Sequence, residues 1–147
     1  MAWHFEHSAN SPASPEAVWQ RYVDVAHWNE WSRKGIQWSR LEGTFEVGAR
    51  GKAKSPGLPA GRFRVTAADS GRLYASETRL PGATLIFELV IERRETGTRI
   101  SHRAKLSGPL AFLYAPVRMR ITQSLPDGVD RLATSAGAGS ETAAQVP

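Results

Sequence analysis

Turn residues divide the centre of this chain into six segments of strand length, and this division constrains the fold more than any other feature. Glycine and proline, alone or together as in Pro81-Gly82, separate the segments, and both residues adopt the backbone conformations of tight turns. The short intervals leave no room for helices between the strands, so we predict an antiparallel meander instead of βαβ units. The predicted strands are residues 36–42, 49–54, 62–68, 72–80, 84–93 and 98–107.

A seventh strand is predicted at residues 3–8, because large and polar side chains alternate there and one face carries Trp3, Phe5 and His7. The same period of two predicts that His102 lies on the buried face of strand 98–107. For residues 36–42 the alternation does not decide whether Trp38 points towards the core or away from it.

Two short helices are predicted between the first strand and the meander. Ser14 and Pro15 are typical of a helix N-terminus, because the serine hydroxyl caps the first turn and proline is favoured at the first helical position. Asp24 suits the cap of a second helix that carries Trp28 and Trp31, although the spacing of apolar residues does not by itself place a break between two helices. We expect the two indoles to fasten these helices to the sheet, since such rings bury a large area. A gate at the mouth of a pocket is the alternative.

A long amphipathic helix is predicted after Gly108-Pro109. Apolar residues recur at steps of three and four from Leu110 onward, as expected for one buried stripe. Pro126 interrupts the pattern and predicts a kink or a brief restart, because proline removes one helical hydrogen bond. Residues 137–147 contain almost no large apolar side chain, so we predict a disordered tail after a single domain at residues 1–136.

Composition excludes several classes of protein. The 147 residues are enough for one domain with a real core but not for two. Cysteine is absent, which excludes disulfides, thiolate metal ligands and a cysteine nucleophile. No apolar run approaches the about 20 residues of a membrane span, and the start lacks a signal-peptide pattern. We therefore expect a cytoplasmic protein without membrane insertion.

Basic side chains concentrate between residues 50 and 72, where six Lys and Arg residues accompany a single acid, Asp69. An anionic ligand, a nucleic acid or a membrane surface would explain such a segment. However, Arg50, Lys52 and Lys54 alternate with small residues, which is typical of the solvated outer face of a strand, and we prefer this interpretation. Aromatic side chains do not interleave with these cations, so we expect no nucleic acid as a partner.

The order of these elements, together with several local motifs, resembles the START/polyketide-cyclase superfamily, also called SRPBCC or the helix-grip fold. The resemblance covers residues 1–136. It implies an α+β fold in which a curved seven-stranded antiparallel sheet grips the long C-terminal helix, with two short helices at one end and a cavity between sheet and helix. The motifs are residues 14–19 (SPEAVW), Asp24 with Trp28 and Trp31, and residues 43–48 (GTFEVG), 97–102 (GTRISH), 108–111 (GPLA) and 125–129 (LPDGV).

The resemblance implies that the cavity binds a hydrophobic or amphipathic small molecule, in a carrier, sensor or sequestering role. Ala49, Gly51 and Ala53 would leave room for it if they face inward. The alternative is that the aromatic side chains fill the core to normal density. Arg40 or Arg118 would suit a ligand carboxylate, but we expect both to be surface cations. The expected lining residues are Trp31, Trp38, Phe63, Phe87, His102, Leu110, Tyr114 and Val117.

Two other functions stay open at this point. A polyketide-type cyclase or dehydratase would use His102 with His7 or Tyr114 to move protons, although a buried histidine is more often a core residue with one hydrogen bond. A protein-interaction module of toxin or co-chaperone type would show an exposed apolar patch and a filled core. We expect no metal and no cofactor, since His4 and His7 point to opposite faces of their strand and no phosphate-binding glycine motif occurs.

Overall fold

The computed structural model describes the backbone of residues 2–145 and the side chains of residues 2–136. In this part of the chain the elements follow the predicted order. The helices are α1 (Pro15–Val23), α2 (Trp28–Trp31) and α3 (Ala115–Gln145), with 3-10 turns at Val25–His27 and Ala111–Leu113. The strands are β1 (Ala2–Ser11), β2 (Trp38–Glu42), β3 (Arg50–Lys54), β4 (Gly61–Asp69), β5 (Leu73–Leu80), β6 (Ala83–Arg94) and β7 (Gly97–Ser107).

The strands form one curved antiparallel sheet in the order β1-β7-β6-β5-β4-β3-β2. Strands β2 to β7 pair with their neighbours in sequence, which confirms the predicted meander. β1 pairs along its whole length with β7, so the first and last strands are adjacent. The register shifts between Val65 and Ala67 in β4, and such a bulge increases the local bend of a sheet.

The burial of Ser39 shows which way the side chains of β2 point. Ser39 is 7% exposed and its hydroxyl donates to the carbonyl of Val25 at 2.5 Å. Because neighbouring side chains alternate across a strand, Trp38 and Arg40 point outward. Trp38 is 41% exposed, and the Arg40 guanidinium carbon lies 5.8 Å from the centre of its ring. The expectation that Trp38 lines a cavity is therefore wrong.

On β3 the small residues face inward and the cations face outward, as the alternation predicted. Gly51 is buried and lies opposite Phe63 of β4. A Cβ atom at Gly51 would lie 2.4 Å from the Phe63 ring and 2.6 Å from the carbonyl oxygen of Arg40. Only glycine fits this position without a shift of both the phenyl ring and the backbone of β2.

The start of α1 is confirmed, whereas the second helix differs from the prediction. The Ala17 amide donates to the Ser14 hydroxyl at 3.1 Å, and Pro15 opens the helix. Asp24 makes no side-chain capping bond. Its carboxylate instead accepts a hydrogen bond from Nδ1 of His27 at 2.8 Å, which raises the pKa of that imidazole. The chain continues as a 3-10 turn and then the single turn of α2.

α3 begins at Ala115, so the prediction of a helix from Leu110 is wrong. The preceding residues bind the hairpin turn between β5 and β6 instead. The Leu110 amide donates to the carbonyl of Gly82 at 2.9 Å, and the Tyr114 hydroxyl donates to the carbonyl of Pro81 at 2.6 Å. Leu110 is 40% exposed and lies outside the buried stripe.

α3 is one continuous element and contains Pro126 without ending there. The helix bounds overlap the predicted disordered tail at residues 137–147. Residues 146 and 147 and the side chains of residues 137–145 lie outside the described part of the chain, and the disorder stays a prediction. None of the helices in residues 2–145 combines the length and the apolar character that crossing a bilayer requires.

The second half of α3 is fixed to the start of the chain. The Ser11 hydroxyl donates to the carbonyl of Ala133 at 2.7 Å, and His7 Nε2 lies 2.9 Å from Asp130 Oδ1. These contacts and the apolar stripe hold α3 against the inner face of the sheet. The buried residues of the stripe are Ile121, Leu125, Val129, Leu132, Ala133 and Ala136.

Candidate ligand-binding site

A cavity of about 410 Å³ lies between the inner face of the sheet and the first half of α3. This volume falls within the range of small-molecule sites in proteins. Some lining residues, such as Pro59 and Leu113, are also exposed, so the mouth lies between the β3–β4 loop and the start of α3. The rings that line the cavity are Tyr22, Trp28, Trp31, Phe63, Tyr74, Phe87, His102 and Tyr114.

Tyr22 is the centre of the aromatic wall. Its ring centroid lies 5.6 Å from that of Trp31, 4.8 Å from that of Tyr74 and 6.0 Å from that of His102. The indole nitrogen of Trp28 donates to the carbonyl of Tyr22 at 2.6 Å, which fixes the link between α1 and α2. Trp28 and Trp31 therefore hold the short helices against the sheet and form part of the cavity wall.

His102 lies on the inner face of β7, as the alternation predicted. Its imidazole packs between Tyr22 and Phe87, whose ring centroid is 5.7 Å away. Nε2 is buried and has no hydrogen-bond partner among the described residues. Burial lowers the pKa of His102 to about 4, so the imidazole is neutral at pH 7.

The phenols of Tyr22 and Tyr74 are also buried. Burial raises the pKa of Tyr22 well above its ordinary value, and the neighbouring Tyr74 raises it further. Burial likewise raises the pKa of Tyr74. Both phenols stay protonated at neutral pH, so they present hydroxyl groups and no negative charge.

The polar side chains of the lining are almost all neutral hydroxyl groups or aromatic ring nitrogens. The Trp31 indole nitrogen is buried and, like His102 Nε2, has no partner in residues 2–136. Among the described side chains, Arg120 is the one charged residue of the lining. No three His, Cys, Asp or Glu side chains of the described chain come close enough to hold a metal ion together. The arrangement can enclose an apolar body and offer it a small number of hydrogen bonds.

The structure brings six of the eight expected lining residues to the cavity. These are Trp31, Phe63, Phe87, His102, Tyr114 and Val117. Trp38 points to the outer face, and Leu110 binds the β5–β6 turn, so neither belongs to the lining.

The three candidate catalytic residues do not converge. His102 and Tyr114 both line the cavity, but the Tyr114 hydroxyl is already bound to the carbonyl of Pro81. His7 lies opposite His102 in the β1–β7 register. Its imidazole contacts the carboxylate of Asp130 on α3 and does not line the cavity.

Sequence reasoning missed Tyr22 and Tyr74, which form much of the wall, and Arg120. For Tyr74 the sequence carried a signal. Tyr74 lies in a strand with one buried face, and neighbouring side chains of a strand point to opposite faces, so a large ring next to the small Ala75 is expected to point inward. The position of Arg120 at the mouth depends on where α3 begins, and Pro116 is a local signal for that start, because proline suits the first turn of a helix and not its interior.

The sequence profile of the family described as polyketide cyclase / dehydrase and lipid transport matches residues 2–137. This chain belongs to that family. The membership agrees with the resemblance in the local motifs and with the helix-grip architecture. No curated protein sequence matches the chain at a significant level.

Solved structures of low sequence identity share the fold. Norcoclaurine synthase from Thalictrum flavum, in complex with dopamine and hydroxybenzaldehyde, is 12% identical over 90% of this chain and 85% of that chain, with a TM-score of 0.69. Ara h 8.0201 is 18% identical over 90% of this chain and 96% of that chain, with a TM-score of 0.65. The di-domain ARO/CYC protein StfQ of the steffimycin biosynthetic pathway is 14% identical over 99% of this chain and 53% of that chain, with a TM-score of 0.73.

Proposed function

We propose that this protein binds a hydrophobic or amphipathic small molecule in the cavity between the sheet and α3, as a carrier, sensor or sequestering protein. The observation that carries the proposal is the ring-lined cavity of about 410 Å³. If the aromatic side chains served only to fill the core, they would be packed to the density of a protein interior, without a space of this size. Family membership and the small-molecule complex of norcoclaurine synthase support the same function.

The inner surface is suited to an apolar body with few polar groups. A ligand hydroxyl or carbonyl that approached Trp31 or His102 would supply the hydrogen-bond partner that each buried ring nitrogen lacks among the described residues. A cationic ligand is disfavoured, because no carboxylate of residues 2–136 belongs to the lining.

A cyclase or dehydratase activity is the second candidate, since His102 and Tyr114 both line the cavity. However, a histidine with a pKa of about 4 is a weak base at neutral pH. The protein-interaction hypothesis is supported in one respect only. Phe112, Leu113 and Met119 are more than half exposed, but the core is not filled as that hypothesis requires.

Binding can be tested with N-phenyl-1-naphthylamine, a neutral apolar probe whose fluorescence rises in an apolar site. Ala53→Phe places a phenyl ring on the inner face of β3, where Ala53 lines the cavity. Ala75→Phe is the matched control, because Ala75 lies between Tyr74 and Ser76 and points to the outer face of β5. We expect the unmodified protein and the Ala75→Phe variant to bind the probe, and the Ala53→Phe variant to lose binding.

Native mass spectrometry of gently purified protein, compared with its denatured mass, is the complementary experiment. A defined extra mass that disappears on denaturation would identify a ligand. The proposal would be rejected if the unmodified protein failed to bind the neutral probe, or if both folded variants bound it equally well.

A further inference from the structure

Arg120 is the only charged side chain that lines the cavity in the part of the chain whose side chains are described, residues 2–136. It lies in the second turn of α3. Its guanidinium is close to the β3–β4 loop, 3.5 Å from where a Cβ atom on Gly57 would be. This places the positive charge at the mouth, while the rings of Tyr22 and His102 form the interior.

Arg120 has no carboxylate partner within residues 2–136. Each ion pair in this part of the chain joins other residues. The guanidinium also donates no hydrogen bond there, although the backbone carbonyl of Arg120 accepts one from the Ser124 hydroxyl at 2.7 Å. A half-buried guanidinium without a partner is well placed to bind an anionic group, because its planar fork matches carboxylate, sulfonate and phosphate oxygens.

The surroundings of the mouth are also positive. The strand pairings Ala53↔Gly61, Leu80↔Ala83 and Thr84↔Ser107 bring residues 54–62, 77–84 and 105–124 to the same end of the sheet. These three segments contain one acid, Glu77, and six cations, namely Lys54, Arg62, Arg79, Lys105, Arg118 and Arg120.

Two of these six cations are neutralised by neighbours. Arg79 pairs with Glu77, and Lys105 pairs with Glu88. The other four have no carboxylate partner in the described chain, so the field at the mouth attracts anions.

We propose that the ligand of this cavity is an amphiphile with a compact apolar, ring-containing body and a single anionic group, and that this group pairs with Arg120 at the mouth. The inference rests on the proposed function, because it assigns a ligand class to the same cavity. The apolar body would lie among the aromatic rings, where no charge is present at pH 7. The anionic group would stay at the mouth, where it remains partly hydrated and meets the guanidinium.

Two probes that share one skeleton test this proposal. N-phenyl-1-naphthylamine is neutral, whereas 8-anilinonaphthalene-1-sulfonate carries the same rings with one sulfonate. Fluorescence titration gives a Kd for each probe with the unmodified protein, Arg120→Gln and Arg62→Gln. Arg62 is the control, since it lies at the same end but is exposed on β4 and outside the lining.

We expect Arg120→Gln to weaken binding of the sulfonate probe about 10- to 100-fold, as for the loss of hydrogen bonds to a charged group. Binding of the neutral probe should change by no more than about twofold. Arg62→Gln should leave both Kd values close to those of the unmodified protein, and Ala53→Phe should abolish binding of both probes.

The proposal is overturned if Arg120→Gln leaves sulfonate binding unchanged, if it weakens both probes equally, or if Arg62→Gln weakens sulfonate binding as much. Each of these outcomes leaves the cavity itself intact as a binding site. Failure of the unmodified protein to bind the neutral probe would instead overturn the proposed function, so the two failures can be distinguished.

Discussion

His102 should make this protein sensitive to mild acid, and the size of the effect follows from its burial. The pKa of His102 is about 4 in the folded protein, whereas an unfolded histidine has a pKa of about 6.5. Between these values the unfolded chain binds the proton and the folded protein does not. The contribution of a neutral His102 is therefore fully present above pH 6.5 and is lost progressively as the pH falls towards 4.

Proton linkage gives the magnitude. Relative to pH 7, His102 alone should lower the free energy of unfolding by about 1 kcal/mol at pH 5.5 and by between about 2 and 3 kcal/mol at pH 4.5. In the His102→Phe variant this loss should be absent, because a ring remains between Tyr22 and Phe87 but cannot be protonated. Chemical denaturation of both proteins at pH 7, 5.5 and 4.5 measures the difference.

Comparing the pH dependence instead of the stability at one pH removes any packing effect of the new phenyl ring. The contribution of His27, whose pKa is raised by Asp24, is common to both proteins and cancels. His4→Gln is a suitable control, since His4 is exposed on the outer face of β1. If the unmodified protein and His102→Phe lost stability in parallel between pH 7 and 4.5, the burial of a neutral imidazole would be refuted.

Three other substitutions test the packing that positions the cavity, each by chemical denaturation at pH 7. Gly51→Ala should destabilise the fold by about 1 to 3 kcal/mol, because the methyl group would overlap the Phe63 ring, and an unchanged stability would contradict this contact. Ser11→Ala should cost about 1 to 3 kcal/mol, since the Ala133 carbonyl and the Ala13 amide both lose a buried partner. Ser14→Ala should cost about 1 kcal/mol through loss of the α1 cap, and a cost below a few tenths would show that the cap is unimportant.

The meander could be predicted from the sequence because its information is local. Glycine at the turns and a period of two within the strands fix where each strand begins and which face it buries. His102 was placed correctly for this reason. Trp38 could not be placed, because both faces of its strand carry an apolar residue and the choice depends on Ser39 bonding to Val25.

The start of α3 reflects a long-range contact and a local proline, neither of which the apolar period reports. The helical spacing of apolar residues runs from Leu110, but the Leu110 amide and the Tyr114 hydroxyl bind the β5–β6 turn, about 30 residues earlier in the chain. Pro116 would in addition break a helix that began at Leu110, whereas it is tolerated in the first turn of a helix that begins at Ala115. The spacing of apolar residues does not show where the helix begins, so the residues that line the mouth could not be predicted from it.

The volume of the cavity implies a cost in stability. At about 24 cal/mol per Å³, an enclosed and dry apolar cavity of about 410 Å³ would cost on the order of 10 kcal/mol, which equals the whole net stability of an ordinary domain. The open mouth reduces this cost. Even so, Ala53, Ser76 and Thr78 keep the inner faces of β3 and β5 small where larger apolar residues would stabilise a closed core.

Ala53→Phe separates stability from binding. Unlike Gly51, Ala53 borders the cavity directly, so a phenyl ring there should fill open space and raise the free energy of unfolding by about 1 to 2 kcal/mol. The same variant should lose the neutral probe, and Ala75→Phe on the outer face should do neither. Urea denaturation and probe titration of the two variants provide both readings. A destabilisation as large as that of Gly51→Ala would show instead that Ala53 is already tightly packed, and that the small residues of β3 serve the fold and not the ligand.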